Sequence, residues 1–300
     1  MKYRLSFLFG FFFLTISAQN YVDIVNLSYA NTLLNNFENS SEQTNVEDFG
    51  LQLTFPIVLN KKVVLLAGLS ANNSRVKLNQ NMPDYASLSR IRLQLGLNLV
   101  HSEKWTGTYV LLPNISSDFD KASKEDFQIG MLTILTYAKN KNFKYKIGLY
   151  ANTENYGPLI SPLLGLYYIS PNKKFESDLL LPGLFNINYQ ILKKTVLGVD
   201  FNAITSSYNL HKDIHTPEGK YVVRSSSELF AYLQFQFGKS LYARTKVGYP
   251  LGRTYKVFNE NDKVDLSLSS IYFGDDRIQL NQNFDRGPIF KIELLYRIHF

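Results

Sequence analysis

The 300-residue sequence has no cysteine and a single tryptophan. Without cysteine there is no disulfide scaffold, zinc–thiolate site, thiol nucleophile or lipid-modified N-terminal Cys. Beyond the first 18 residues, no apolar run approaches the ~20 residues that a spanning helix needs. A mean hydropathy of −0.13 is also too polar for a bundle of such helices. Gly-rich phosphate loops, paired catalytic carboxylates in a recognisable motif and nucleic-acid modules are missing too. The apolar fraction is 45%, which excludes a disordered tail. What abounds is aromatic: 22 Phe and 20 Tyr, residues that favour strands and membrane interfaces.

The N-terminus has the order of an export signal. Lys2 and Arg4 precede an apolar run from Leu5 to Ile16, and Ser17-Ala18-Gln19 follow. Residues 1–18 are expected to be a signal peptide and residues 19–300 the mature domain. Cleavage after Ala18 leaves 30 cations against 25 acids, a net charge of +5.

The remainder alternates with period two, as strands do. Ile91, Leu93, Leu95, Leu97 and Leu99 oppose Arg90, Arg92, Gln94, Gly96 and Asn98. Phe290, Ile292, Leu294, Tyr296, Ile298 and Phe300 oppose Lys291, Glu293, Leu295, Arg297 and His299. Strands are expected near 21–30, 45–59, 63–77, 87–101, 104–113, 125–138, 143–152, 159–170, 174–181, 183–192, 195–206, 223–237, 240–250 and 287–300. Leu181-Pro182-Gly183 is either a turn or a bulge, and residues 262–273 have room for a further strand pair. Short Lys- and Asn-rich turns alternate with longer polar connections at 31–44, 79–86, 114–124, 153–158, 209–222 and 251–286. That parity is the rhythm of a membrane barrel, with tight periplasmic turns and longer outside loops. The expected fold is all-β: a transmembrane antiparallel up-and-down β-barrel of about 14 strands, within a range of 12 to 16.

Phe300, with its alternating set Phe290, Ile292, Leu294, Tyr296 and Ile298, resembles the C-terminal assembly signal read by barrel-insertion machinery. The expected partners are therefore outer-membrane lipid and that machinery. The expected location is the outer membrane of a Gram-negative bacterium. The chain also resembles the outer-membrane β-barrel proteins of unknown function found in Bacteroidetes. The likeness rests on the signal end at Ala18-Gln19, Phe55-Pro56-Ile57-Val58-Leu59 before a Lys turn, Pro162 to Tyr168, Leu181-Pro182-Gly183 and the final strand. It implies fold and location, with no activity or functional residues.

Four features bear on chemistry. His211 and His215, with Asp213 between them, have metal-ligand spacing, but no third ligand accompanies them, and no metal or cofactor is assigned. A barrel-wall lipid hydrolase would need a Ser and a His together. His101 and His299 lack such a context, so no catalytic residue is assigned and enzyme activity is not expected. If the leucine faces meet lipid, the opposite faces line the lumen. They bring Arg90, Arg92, Lys144, Lys146, Arg244, Lys246, Lys291 and Arg297 there against fewer acids, namely Asp48, Asp200, Glu228 and Glu293. A lumen so charged would favour anions. Finally, Tyr29, Trp105, Tyr109, Tyr137, Phe143, Tyr167 and Tyr189 suit an interfacial girdle. The pI of 9.2 does not imply nucleic acid, because the cations are dispersed over turns and inner faces. The leading expectation is a passive channel for small solutes, anions favoured. The alternatives are a filled barrel whose outside loops bind a partner and, behind it, a lipid hydrolase.

Overall fold

The computed structural model describes residues 21–38, 40–211 and 219–299. The expected signal peptide, Phe300, Asp213 and His215 lie outside these residues. The chain runs as β1 (Tyr21–Asn36), β2 (Gln43–Asn60), β3 (Val63–Val76), β4 (Ala86–Val100), β5 (Trp105–Ser117), β6 (Phe127–Ala138) and β7 (Phe143–Glu154). It continues as β8 (Gly157–Ile169), β9 (Phe175–Leu181), β10 (Leu184–Leu192), β11 (Thr195–Leu210), β12 (Lys220–Gln236) and β13 (Leu241–Asn259). A small hairpin follows, β14 (Leu266–Leu268) and β15 (Ile271–Phe273), and then β16 (Ile289–His299). Each wall strand pairs antiparallel with its neighbour, and β16 joins β13 to β1, so 14 strands close a barrel. Closure pairs backbone donors and acceptors without leaving a sheet edge, the condition for strands in hydrocarbon.

The alternation decides which face is wet. Leu27, Phe49, Ile91, Leu93, Leu95, Leu111, Met131, Ile147, Leu197, Phe235, Ile292 and Leu294 are exposed around the outer wall. So many exposed large apolar side chains would be a liability in water and match a lipid-facing band. Their alternates, such as Arg90, Lys246, Glu293 and Arg297, are buried inside.

The connections partly depart from the sequence reading. Strands β1 and β5 run further than the alternation suggests, taking residues read as loop into the wall, and β11, β12 and β13 also run on through residues read as loop. Two connections on the long-loop side are two-residue turns, 155–156 and 182–183. Leu181-Pro182-Gly183 is thus a hairpin tip, with a cis peptide before Pro182, and not a bulge. The space noted at 262–273 holds β14 and β15. They stay out of the wall, and β14 pairs in parallel with Leu159 and Ile160 of β8, above the short β9–β10 hairpin.

Candidate functional site: the barrel lumen

The lumen has two unlike halves. On the long-loop side β11, β12 and β13 leave the wall. The last rung between β10 and β11 is Leu184–Asn202, and the last between β16 and β13 is Ile289–Gly248. Beyond these rungs the three strands bond chiefly to one another. A register shift at Ser227/Glu228, opposite Pro250 and Gly252, marks the departure, as a bulge bends a strand. The released segment folds across the mouth, and Asn209 of β11 reaches Ser117 of β5, nearly opposite in the barrel.

This segment is buried on both faces. Tyr208, Val222, Tyr255 and Val257 pack with Phe37, Val46, Val76 and Leu88 from β2 to β4 and the first loop. Tyr221, Val223 and Phe258 pack on Tyr156 and Val264. Arg277 secures the loop above them. Its guanidinium lies 4.4 Å from the Phe258 ring centre and 4.6 Å from that of Tyr272, and it pairs with Asp275 at 2.7 Å. A continuous apolar stretch, Tyr221-Val222-Val223, breaks the alternation and is the sequence signal for a strand covered on both sides.

Several polar groups in the plug are engaged by the wall. The Ser207 carbonyl accepts from Arg90 Nη2 at 3.1 Å, Ser116 Oγ at 2.6 Å and Gln128 Nε2 at 3.2 Å. The Ser207 N–H donates to Glu154 Oε2 at 2.6 Å. Arg90 and Glu154 are themselves an ion pair at 3.2 Å. On the other flank Arg224 grips Asp48 through two bonds of 2.8 and 3.1 Å, and Arg253 holds Glu228 at 2.8 Å. Outside the wall, Asp126 accepts from Asn209 at 2.9 Å and pairs with His211 at 2.9 Å. Burial alone would push the Asp126 carboxyl up, but bonds from Asn209, the Ser123 N–H and His211 hold it below its ordinary value.

The short-turn half is hollow. A chamber of about 610 Å³ is lined by Tyr21, Asn26, Gln52, Glu176, Asn186, Asn188, Tyr232, Gln234 and Tyr242, with Lys173, Lys174, Lys193 and Lys194 at its rim. Glu176 accepts from the hydroxyls of Tyr21 at 3.2 Å and Tyr167 at 3.0 Å. Arg297 lies between the Tyr21 and Tyr242 rings, 3.6 and 4.7 Å from their centres, and binds Asp23 at 2.6 Å. Glycine is required at one place here. The Tyr232 ring crosses the position that a Cβ on Gly198 would occupy, so this ring can lie along the wall only over a residue without a side chain.

Six of the eight cations expected in the lumen have a carboxylate partner: Arg90–Glu154, Lys146–Asp178 at 2.5 Å, Arg244–Glu293 at 3.0 Å, Lys246–Asp200 at 2.7 Å, Lys291–Glu293 at 3.2 Å and Arg297–Asp23. Of the other two, Arg92 reaches the Tyr150 hydroxyl at 3.3 Å, and Lys144 lies 5.9 Å from the centre of the Tyr167 ring. The sequence count misses Asp23, Glu154 and Asp178, which balance the wall. Among the described residues, the chamber cations without a carboxylate partner are instead the four lysines of its rim. Tyr167, expected in the girdle, points inward and is buried. Phe290, Ile292, Leu294 and Tyr296 face outward on β16, which closes the barrel between β13 and β1, and Ile298 is half-buried. The three described histidines are held by other groups: His101 by Tyr109 at 3.0 Å, His299 by Tyr242 at 2.9 Å, His211 by Asp126. No group of three metal-ligating side chains is found among the described residues.

Solved structures similar to the chain include an outer membrane channel from Pseudomonas putida F1, at 8% identity, 93% of this chain, 95% of that chain and a TM-score of 0.48. The NanC porin has 9% identity, 91% and 100% coverage and a TM-score of 0.38. Outer membrane phospholipase A from Escherichia coli has 13% identity, 91% and 92% coverage and a TM-score of 0.36. A search of curated proteins finds no match. Residues 14–297 match the family described as domain of unknown function DUF6268, and the chain belongs to that family.

Proposed function

We propose that the chain is an exported outer-membrane channel for small polar solutes, shut at its outer mouth by its own strands. Residues 1–18 direct export, and the closing strand, Phe290 to Phe300, carries the assembly signal. The observation that supports the reading is the two-part lumen: a hollow, hydrogen-bonding chamber under a plug that wall side chains hold by discrete polar contacts. Such a plug is a two-state element, in or out, and not a deformable filling. The rim lysines favour anions at the inner entrance, while the paired wall adds little fixed charge.

The test is conductance of the barrel in a planar bilayer under a salt gradient. The native chain is expected to be mostly quiet. Val222→Asp buries a carboxylate in the apolar face of the plug, which costs several kcal/mol and should release it. Discrete steps with an anion-favouring reversal potential are expected from that variant. If a folded Val222→Asp barrel never conducts, the channel reading fails. The second reading then takes over: a filled barrel whose outer surface binds a partner. The two-sided burial of β11 to β13 supports that reading. A lipid hydrolase ranks behind both, since the three described histidines are engaged by Tyr or Asp.

A further inference from the structure

We infer that the turns between β2 and β7 form a docking arc for anionic phospholipid headgroups, with the barrel side of the site built by an aromatic belt. All six short turns are basic: together they carry ten exposed lysines and one acid, Glu103. No carboxylate among the described residues lies within ion-pair distance of any of them. The turns divide by position. Those after β8 and β10 supply the lysines at the chamber rim. The three consecutive turns after β2, β4 and β6 carry Lys61, Lys62, Lys104, Lys139 and Lys141, none of which lines the chamber.

What lies beside three of those five lysines, Lys104, Lys139 and Lys141, identifies the partner. Outward-facing rings form a continuous belt one or two residues into the wall. Trp105 meets Tyr137 at 5.1 Å between centroids, Tyr137 meets Tyr145 at 6.5 Å, and Tyr145 meets Phe143 at 4.9 Å. Phe143 then meets Tyr168 at 6.2 Å, and Tyr168 meets Phe175 at 6.1 Å. Aromatic rings of this kind settle where hydrocarbon gives way to headgroups. Lys104 precedes Trp105, and Lys139 and Lys141 follow Tyr137 by two and four residues. Their ammonium groups therefore stand at the depth of lipid phosphate, where each such cation favours an anionic lipid. A soluble anionic glycan would answer the charge but not the belt, so the lipid surface is the better fit.

The single tryptophan sits inside the proposed site and reports on it. The inference requires a barrel seated in a bilayer. Trp105 should be quenched by brominated phosphatidylcholine in phosphatidylcholine vesicles, and absence of quenching would count against the membrane reading itself. Brominated phosphatidylglycerol in the same vesicles is then compared. A preference for the anionic lipid of about fivefold is expected at low salt, the factor that one Lys–headgroup contact provides. It should fall to near unity in Lys104→Gln/Lys139→Gln/Lys141→Gln, and survive in Lys121→Gln/Lys124→Gln at the opposite end. Far-ultraviolet circular dichroism and heat-modifiability verify that each variant is folded. A native ratio near one, or a ratio unchanged in the triple variant, overturns the inference. So does lysine-dependent retention of a soluble anionic glycan without any lipid preference, which would assign the arc to that partner.

Discussion

Arg90 and Glu154 show how a single pair can hold a large element. Both are buried, and both touch the Ser207 peptide. Glu154→Ala leaves the guanidinium uncompensated and should cost about 3–5 kcal/mol. Arg90→Met/Glu154→Leu removes both charges and should cost clearly less. Thermal unfolding of the refolded barrel separates the two variants, and equal losses would mean that the pair is not coupled. A second residue-scale expectation concerns acid. Asp126 is held low mainly against the burial that raises it, by bonds from Asn209 and Ser123 and by His211. Asp275 is held low first by its hydrogen bond from Arg277. A carboxyl depressed on folding contributes stability above its unfolded pKa, near 3.9, and that contribution is lost as pH falls through the folded value. The β5–β6 loop and the segment around Arg277 should therefore keep their hydrogen-exchange protection down to about pH 4 and lose it below. Protection that weakens on raising the pH from 5 to 8 would reverse the sign and refute the assignment.

At the scale of elements, β11 to β13 do two jobs along their length. Near the short turns they are wall, with lipid on one side and lumen on the other. Beyond Asn202 and Gly248 they lose their outer neighbours and become interior. The crossing at Ser117 and Asn209 offers a direct handle, since the chain has no cysteine of its own. Ser117→Cys/Asn209→Cys, added to Val222→Asp, should lock the plug when oxidised. Conductance steps should then vanish, and a reductant should bring them back within one recording. Steps indifferent to the reductant would show that ions pass by another route. The β14–β15 hairpin belongs to the same assembly. It covers the part of β8 that the short β9–β10 hairpin leaves without a partner, so the gap is sealed by main-chain bonds to Leu159 and Ile160.

For the whole molecule, charge is sorted by place. Ion pairs engage most of the inner-wall cations, and among the described residues no carboxylate lies within ion-pair distance of the short-turn lysines. Selectivity should therefore belong to the rim. In the Val222→Asp background, Lys173→Gln/Lys174→Gln/Lys193→Gln/Lys194→Gln should move the reversal potential toward zero with little change in step size. Fixed cations at an entrance concentrate counter-ions without forming the constriction. An unchanged reversal potential would place selectivity in the wall after all.

Much of this architecture is legible in the sequence. The leucine and phenylalanine alternation, the Lys-marked turns and the even strand count specify a closed barrel, because side-chain period and chain reversal are local properties. Which lumen charges cancel was not legible. Arg90 meets Glu154 across 64 residues and Arg224 meets Asp48 across 176, distances over which no local pattern carries information. The plug was read as outside loop, at 209–222 and from 251 onward, although a local signal was present. Tyr221-Val222-Val223 says that a strand is covered on both faces, but not by what. The barrel, its lipid and lumen faces and its basic turns each follow from residues a few positions apart. Cover of the mouth on the long-loop side does not follow from such local patterns, because it depends on where two strand neighbours end and a third element must fold in to bury what they leave bare.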